Sequence, residues 1–174
     1  PERFLHLDGR VVQTRPMKGT RPRGDDALSD QKLRAEIERS DKEKAELLMI
    51  TDLCRNDLGR VCDYGTVKVR EMRSIEEYQF VFQTTSTIEG VLGKDKDCFD
   101  LIRACFPGGS VTGCPKIRAM EIIEELEPTR RGMYTGSLGY VNFAGNIDFN
   151  ILIRTLLAYR DQIYFQVGGG IVAD

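Results

Sequence analysis

The apolar residues of this chain change period along its length, and the order of the two periods is the strongest constraint on its fold. Residues 2–7 and 10–15 read as two strands around Asp8-Gly9, a hairpin turn signal. A helical pattern follows over 29–56, ending near Gly59, with Leu33, Ile37, Ala45, Leu48, Met49 and Leu53 close to helical spacing. Segments 66–72 and 78–90 are rich in β-branched and aromatic residues and predict strands. Short helices are expected over 97–106 and from Pro115 to just before Pro128, then strands over 137–142, 147–158 and 162–167. Strands therefore come in runs and do not alternate strictly with helices. That order predicts an α+β fold with antiparallel sheets, not a doubly wound one.

A chain of 174 residues is the size of one domain and can bury a core without disulfides. Its 25 Lys and Arg against 27 Asp and Glu give a net charge of −2. No basic excess is available to neutralise phosphates, which argues against general nucleic-acid binding. No uncharged apolar run approaches the roughly 18 residues of a membrane span, so no membrane partner is expected. The opening Pro1-Glu2-Arg3 is neither a signal peptide nor an initiator, and the chain is expected to lie within a longer protein. Five cysteines (Cys54, Cys62, Cys98, Cys105, Cys114) contain no CxxC pair and read as free thiols of a reducing compartment. With His6 as the single histidine, and that in an apolar strand, a multi-histidine metal site has no material.

Four features carry possible chemistry. Glu46 shares a helix face with Met49, Ile50 and Leu53. A carboxylate on an apolar stripe must be paired or bind a metal; the plainer alternative is an edge position paired with Lys42. Lys18 follows Met17 at a strand end, near Arg21 and Arg23 in the basic loop 19–26. An amine among apolar groups or other cations becomes nucleophilic, whereas a solvated lysine stays charged. The loop PGGSVTGCPK, 107–116, precedes a helix and could hold an anion or be an ordinary connection. It is not a phosphate-binding Walker loop, because Cys114-Pro115 stands where Lys-Ser or Lys-Thr is required. Arg154 lies in the apolar run 151–157, where period 2 puts it beside Leu152 and Leu156. A buried arginine needs an anionic partner, either a ligand or an internal acid. The triple glycine 168–170 could add backbone donors for an anion.

The segments PERF, PMKGTRPRG, KEKAELLMITDLCRNDLGRV, PGGSVTGCPKIRAMEII, RRGMYTGSLGY, IRT and GGGIVAD are collinear from end to end. Together they resemble the chorismate-utilising enzymes, among them anthranilate synthase component I, aminodeoxychorismate synthase component I and the isochorismate and salicylate synthases. The resemblance implies part of a chorismate-binding β-sandwich with helices packed outside. It makes 1–174 a partial catalytic domain whose N-terminal portion and C-terminal metal-binding segment lie elsewhere. The residue before Gly19-Thr20 is usually Ala in anthranilate synthases and usually Lys in aminodeoxychorismate synthases; here it is Lys18. The implied activity is Mg²⁺-dependent amination of chorismate to 4-amino-4-deoxychorismate, a step toward p-aminobenzoate and folate. Ammonia would come from a glutamine amidotransferase subunit, in a cytoplasmic setting.

By the same resemblance Lys18 is the nucleophile, Glu2 the general acid and Glu46 a Mg²⁺ ligand. Thr20, Thr112, Tyr134, Arg154, Gly168 and Gly169 line the substrate site. The sequence departs from the pattern at Gln83, where the family usually has histidine. Two alternatives stand beside this reading: an anthranilate synthase, and a non-catalytic chorismate-binding module. A chain lacking the rest of the sandwich is expected to be inactive alone, to self-associate through open sheet edges and to be partly disordered at its Gly-rich loops.

Overall fold

The computed structural model describes residues 2–171. Strand β1 (Arg3–Asp8) and strand β2 (Val11–Arg15) form the hairpin expected around Asp8-Gly9, with Gly9 at φ +56°. Strand β3 (Met17–Pro22) follows directly after Pro16. Helix α1 (Ala27–Arg39) and helix α2 (Asp41–Gly59) come next, then strands β4 (Lys68–Glu77) and β5 (Val81–Val91). Helices α3 (Cys98–Cys105) and α4 (Lys116–Leu126) flank a single 3-10 turn, Gly109–Val111. Strands β6 (Ser137–Val141), β7 (Ile147–Ile151), β8 (Leu156–Tyr159) and β9 (Gln162–Phe165) complete the described chain.

Seven strands make one antiparallel sheet in the order β3-β5-β2-β1-β7-β6, with β4 also on β5; β8 and β9 form a separate hairpin. Strand β5 is the spine. One of its edges carries β4, and the other carries β3 along its first half and β2 along its second. This is the α+β architecture expected from the order of the elements. The core lies between the sheet and α2 and α3, around Leu5, Val12, Ile50, Leu58, Ile88, Leu101 and Ile147. Four consecutive polar residues of β5, Thr84 to Thr87, are buried. The first three donate their hydroxyl protons to the Lys18 carbonyl, the Glu76 carboxylate and the Glu71 carbonyl. Such burial is tolerated only when the donors are satisfied.

Three sequence expectations need correction. The single helix over 29–56 is two helices, because Ser40 leaves the helical region (φ −64°, ψ 106°) and its hydroxyl accepts from the Glu43 N–H as a new N-cap. The break resets the phase. Leu47, Ile50, Thr51, Cys54 and Leu58 become the buried face of α2, while Leu48 and Met49 are exposed. The basic segment 19–26 is not all loop, since β3 takes it as far as Pro22 and Asp26 then caps α1. Strand 147–158 is broken after Ile151, and Arg154 stands in the break with φ +53°.

Candidate active site

Lys18 sits in an irregularity of β3. The register against β5 shifts between Met17 and Thr20, and Gly19 takes φ +85°. A residue there must be glycine on two counts. The left-handed backbone disfavours a side chain, and a Cβ would lie 2.8 Å from Glu43 Oε2 and 3.1 Å from Thr84 Oγ1. The bulge re-aims Lys18 toward α2. Its Nζ stands 3.5 Å from Glu46 Oε2, with the two side chains about three-quarters buried. Glu46 is therefore paired, and its partner is Lys18, not Lys42. Thr20 Oγ1, two residues along, accepts from Gln83 Nε2 at 3.3 Å, so Gln83 occupies a donor position beside the bulge.

Glu43, one turn before Glu46, was not singled out by the sequence. Its Oε1 accepts from Arg21 Nη1 at 2.7 Å, while its Oε2 is buried with no hydrogen-bond partner. The i, i+3 spacing puts both carboxylates on the same side of α2. Among the described residues no group of three or more His, Cys, Asp or Glu side chains converges. Two carboxylates of an all-oxygen donor set nevertheless fit Mg²⁺, which keeps several waters and substrate oxygens in its shell. Glu46, with its one weak cationic partner, is the residue best placed to hold it.

Glu2, just before β1, is 5% exposed. Burial pushes its carboxyl up from the ordinary 4.5 to about 7, against the smaller downward pull of Ser110, the Met17 N–H and the Lys18 charge. The Ser110 hydroxyl is buried nearby but makes no hydrogen bond of good geometry. A small cavity of about 10 Å³, room for about one water, is lined by Glu2, Thr14, Cys54, Asp57 and Ser110. The arrangement offers an acid that carries its proton near neutrality and an amine within its electrostatic reach.

The 166–171 segment runs past this region, exposed to solvent over most of its length. A Cβ on Gly170 would lie 3.2 Å from Lys18 Nζ, and one on Gly168 would lie 2.7 Å from the Tyr134 hydroxyl. The Tyr134 N–H donates to the Arg131 carbonyl at 3.0 Å, and the Arg131 guanidinium donates to the Val111 carbonyl at 2.7 Å and to Thr135 Oγ1 at 3.3 Å and is paired with Glu127. Gly170 thus lies near the Lys18–Glu46 pair and Gly168 near Tyr134, and all three glycines 168–170 are exposed. Two of the expected substrate-site residues stand apart. Thr112 turns its hydroxyl to the Gly108 carbonyl at 3.0 Å and lines a separate groove with Arg131 and Thr135. Arg154 is exposed, so the expectation of a buried strand arginine fails. The strand breaks before it, and its left-handed backbone takes it off the period-2 face.

Comparison with known proteins follows the same lines. Residues 1–174 match the family described as chorismate binding enzyme, and the chain belongs to that family. It is 55% identical over its whole length to an anthranilate synthase component I-like protein of Synechocystis sp. and 52% identical to aminodeoxychorismate synthase component 1 of Escherichia coli. It covers 36% and 38% of these relatives, so the chain spans a little over a third of the curated proteins it matches. Anthranilate synthase component I from Streptococcus pneumoniae superposes with a TM-score of 0.78 at 36% identity, over 90% of this chain and 34% of that one. Among the described residues no helix is long and apolar enough to cross a membrane.

Proposed function

We propose that the protein containing this chain aminates chorismate to 4-amino-4-deoxychorismate. The observation that carries the reading is Lys18, held by a bulged strand against Glu46 with the buried acid Glu2 nearby. In this account the Lys18 amine, after giving up its ammonium proton to solvent, forms a bond to C2 of chorismate as both ring double bonds shift (C1=C2 to C1=C6, C5=C6 to C4=C5) and the C4–O bond breaks. Glu2 gives its proton to the departing hydroxyl, which leaves as water. Ammonia then adds at C4, both double bonds shift back, the C2–N bond to Lys18 breaks, and the new C4 ammonium returns one proton to Glu2. Net, chorismate and ammonia give aminodeoxychorismate and water.

Mg²⁺ at Glu46, with Glu43 beside it, would supply positive charge to a substrate carboxylate. Tyr134 and the Gly168-Gly169 backbone would bind the rest of the substrate, together with Thr20. Thr112 and Arg154 belong to the proposed site only if segments outside this chain fold over them. The word component in the E. coli relative's name supports a partner subunit, which we take to be a glutamine amidotransferase delivering ammonia. Five unpaired thiols suit a reducing, cytoplasmic setting.

Identity alone does not choose between the two synthase names, since 55% and 52% are nearly equal. Lys18 supports the aminodeoxychorismate reading, because an alanine there could form no covalent intermediate. Incubating the full-length protein with chorismate, Mg²⁺ and ammonium, and identifying the product by mass and by conversion to p-aminobenzoate, tests the reading. Aminodeoxychorismate supports it, and anthranilate refutes it.

A further inference from the structure

Lys116 is the first residue of α4, and Asp57 lies in the last full turn of α2, 59 positions earlier. Lys116 Nζ is 2.5 Å from Asp57 Oδ2, and it also donates to the carbonyls of Cys105 at 2.9 Å and Pro107 at 2.8 Å. An ammonium has three N–H bonds, and here each has an acceptor. The pair is buried, with side chains 12% and 6% exposed. One acceptor belongs to α2, one to the end of α3 and one to the start of the loop 106–115, whose exit is fixed by Lys116 itself. A single side chain therefore closes the loop at both ends and ties it to α2.

The middle of that loop covers Glu2. Gly108 and Gly109 pack so closely that a Cβ would lie 2.8 Å from Ile151 Cδ1 and 2.9 Å from Leu53 Cδ2. Ser110 joins Glu2, Thr14, Cys54 and Asp57 around the small cavity. We propose that Lys116 and Asp57 are positioning residues whose ion pair latches the 106–115 loop over Glu2 and so keeps water off the acid. This rests on the reading of Glu2 as the proton donor.

The groups around Glu2 come from several elements. The Met17 N–H and Lys18 come from β3 and Thr14 from β2, while Arg3 of β1 turns its guanidinium to Gln13 and Asp148. Cys54 and Asp57 come from α2, Cys105 from α3 and Ser110 from the loop, with Lys116 behind Asp57. The latch itself is nearly neutral toward Glu2, since Lys116 and Asp57 offset each other. Its effect is therefore the exclusion of water, which favours the protonated carboxyl.

The test uses the full-length protein and Lys116→Met, with Lys116→Arg as the conservative variant. Three readings are taken: amide hydrogen exchange of residues 108–112, the pH profile of kcat, and infrared titration of the Glu2 carboxyl identified by difference against Glu2→Gln. In Lys116→Met the loop amides should exchange at least about tenfold faster, as a local opening requires. The Glu2 titration and the alkaline limb of kcat should both move down by about one unit or more. KM for chorismate should stay within about threefold, and Lys116→Arg should restore part of each change. A Glu2 titration unmoved in a folded variant overturns the latch. A titration that moves while the kcat limb stays fixed upholds the latch and refutes Glu2 as the acid. Lys116→Met/Asp57→Asn, which removes both charges together and so isolates the loop opening, is read the same way and stands in where Lys116→Met does not fold. In the native protein, loop amides exchanging far faster than those of α2 overturn the proposal without any variant.

Discussion

Lys18 and Glu46 meet across 28 positions of sequence, with Nζ 3.5 Å from Oε2, because a bulge in β3 aims the lysine at the one turn of α2 that carries the carboxylate. The distance is that of a loose ion pair. It holds the side chain toward Glu46 without a short, charge-assisted bond. In the full-length enzyme, Glu46→Gln should lower kcat/KM by about 100-fold or more, a size typical of losing one charged group at a reacting centre. Raising the Mg²⁺ concentration should recover part of that loss. An unchanged kcat/KM at limiting Mg²⁺ would remove Glu46 from the site.

Glu2 gives a pH prediction with a definite sign. Its folded value of about 7 lies above the ordinary 4.5, so between these limits the folded chain binds more protons than the unfolded one. Unfolding free energy should therefore fall as pH rises from 4.5 through 7, by about 3 kcal/mol in all for a shift of that size. Glu2→Gln should flatten this slope in urea melts taken across the window. In the full-length enzyme the same titration should appear as a loss of kcat above about pH 7, where the donor has lost its proton. A slope of the opposite sign would contradict the buried, protonated acid.

Gly19→Ala meets two penalties at once. The backbone is at φ +85°, and the new methyl would press on Glu43, which Arg21 holds in place. The expected destabilisation is about 1–3 kcal/mol, with a larger fractional loss of activity, because the same bulge aims Lys18. Gly145→Ala, at φ +82° but with open space around it, is the control. It should cost only the backbone strain and leave activity unchanged. Equal effects on activity from the two variants would show that the bulge does not position the lysine.

The sheet ends at β6, where Leu138, Tyr140 and Val141 are exposed, and Leu156, Ile163 and Phe165 are exposed on the β8-β9 hairpin. Apolar strands with free edges recruit other chains. The isolated 174-residue chain should elute as oligomers in gel filtration, and Tyr140→Lys should shift it toward the 19.7 kDa monomer. A monomer at high concentration without any variant would contradict this.

The sequence showed more of the fold than of the site, for physical reasons. Element order and period 2 sufficed for an antiparallel α+β fold, because each strand's pattern is local. The α1–α2 break was missed because a serine N-cap inside a continuous helical pattern looks like a surface residue until Ser40 is seen to leave the helix. Glu46 was legible from its neighbours Ile50 and Leu53, but its partner was not. Lys42 lies close in sequence, whereas Lys18 arrives through a bulge that no spacing rule reports. Arg154 was misread because period 2 assumes an unbroken strand. Asp57 and Lys116 stood in plain view within RNDLGRV and TGCPK, yet a pair separated by 59 positions carries no signal in one sequence.

The most direct measurement follows Lys18 itself. The full-length protein is incubated with chorismate and Mg²⁺ without ammonia, quenched, digested and read by mass spectrometry, beside Lys18→Ala. The account predicts a peptide carrying chorismate less one water on Lys18, lost when ammonium is added and absent from Lys18→Ala, which forms no aminodeoxychorismate. Aminodeoxychorismate formed at an undiminished rate by Lys18→Ala would contradict it.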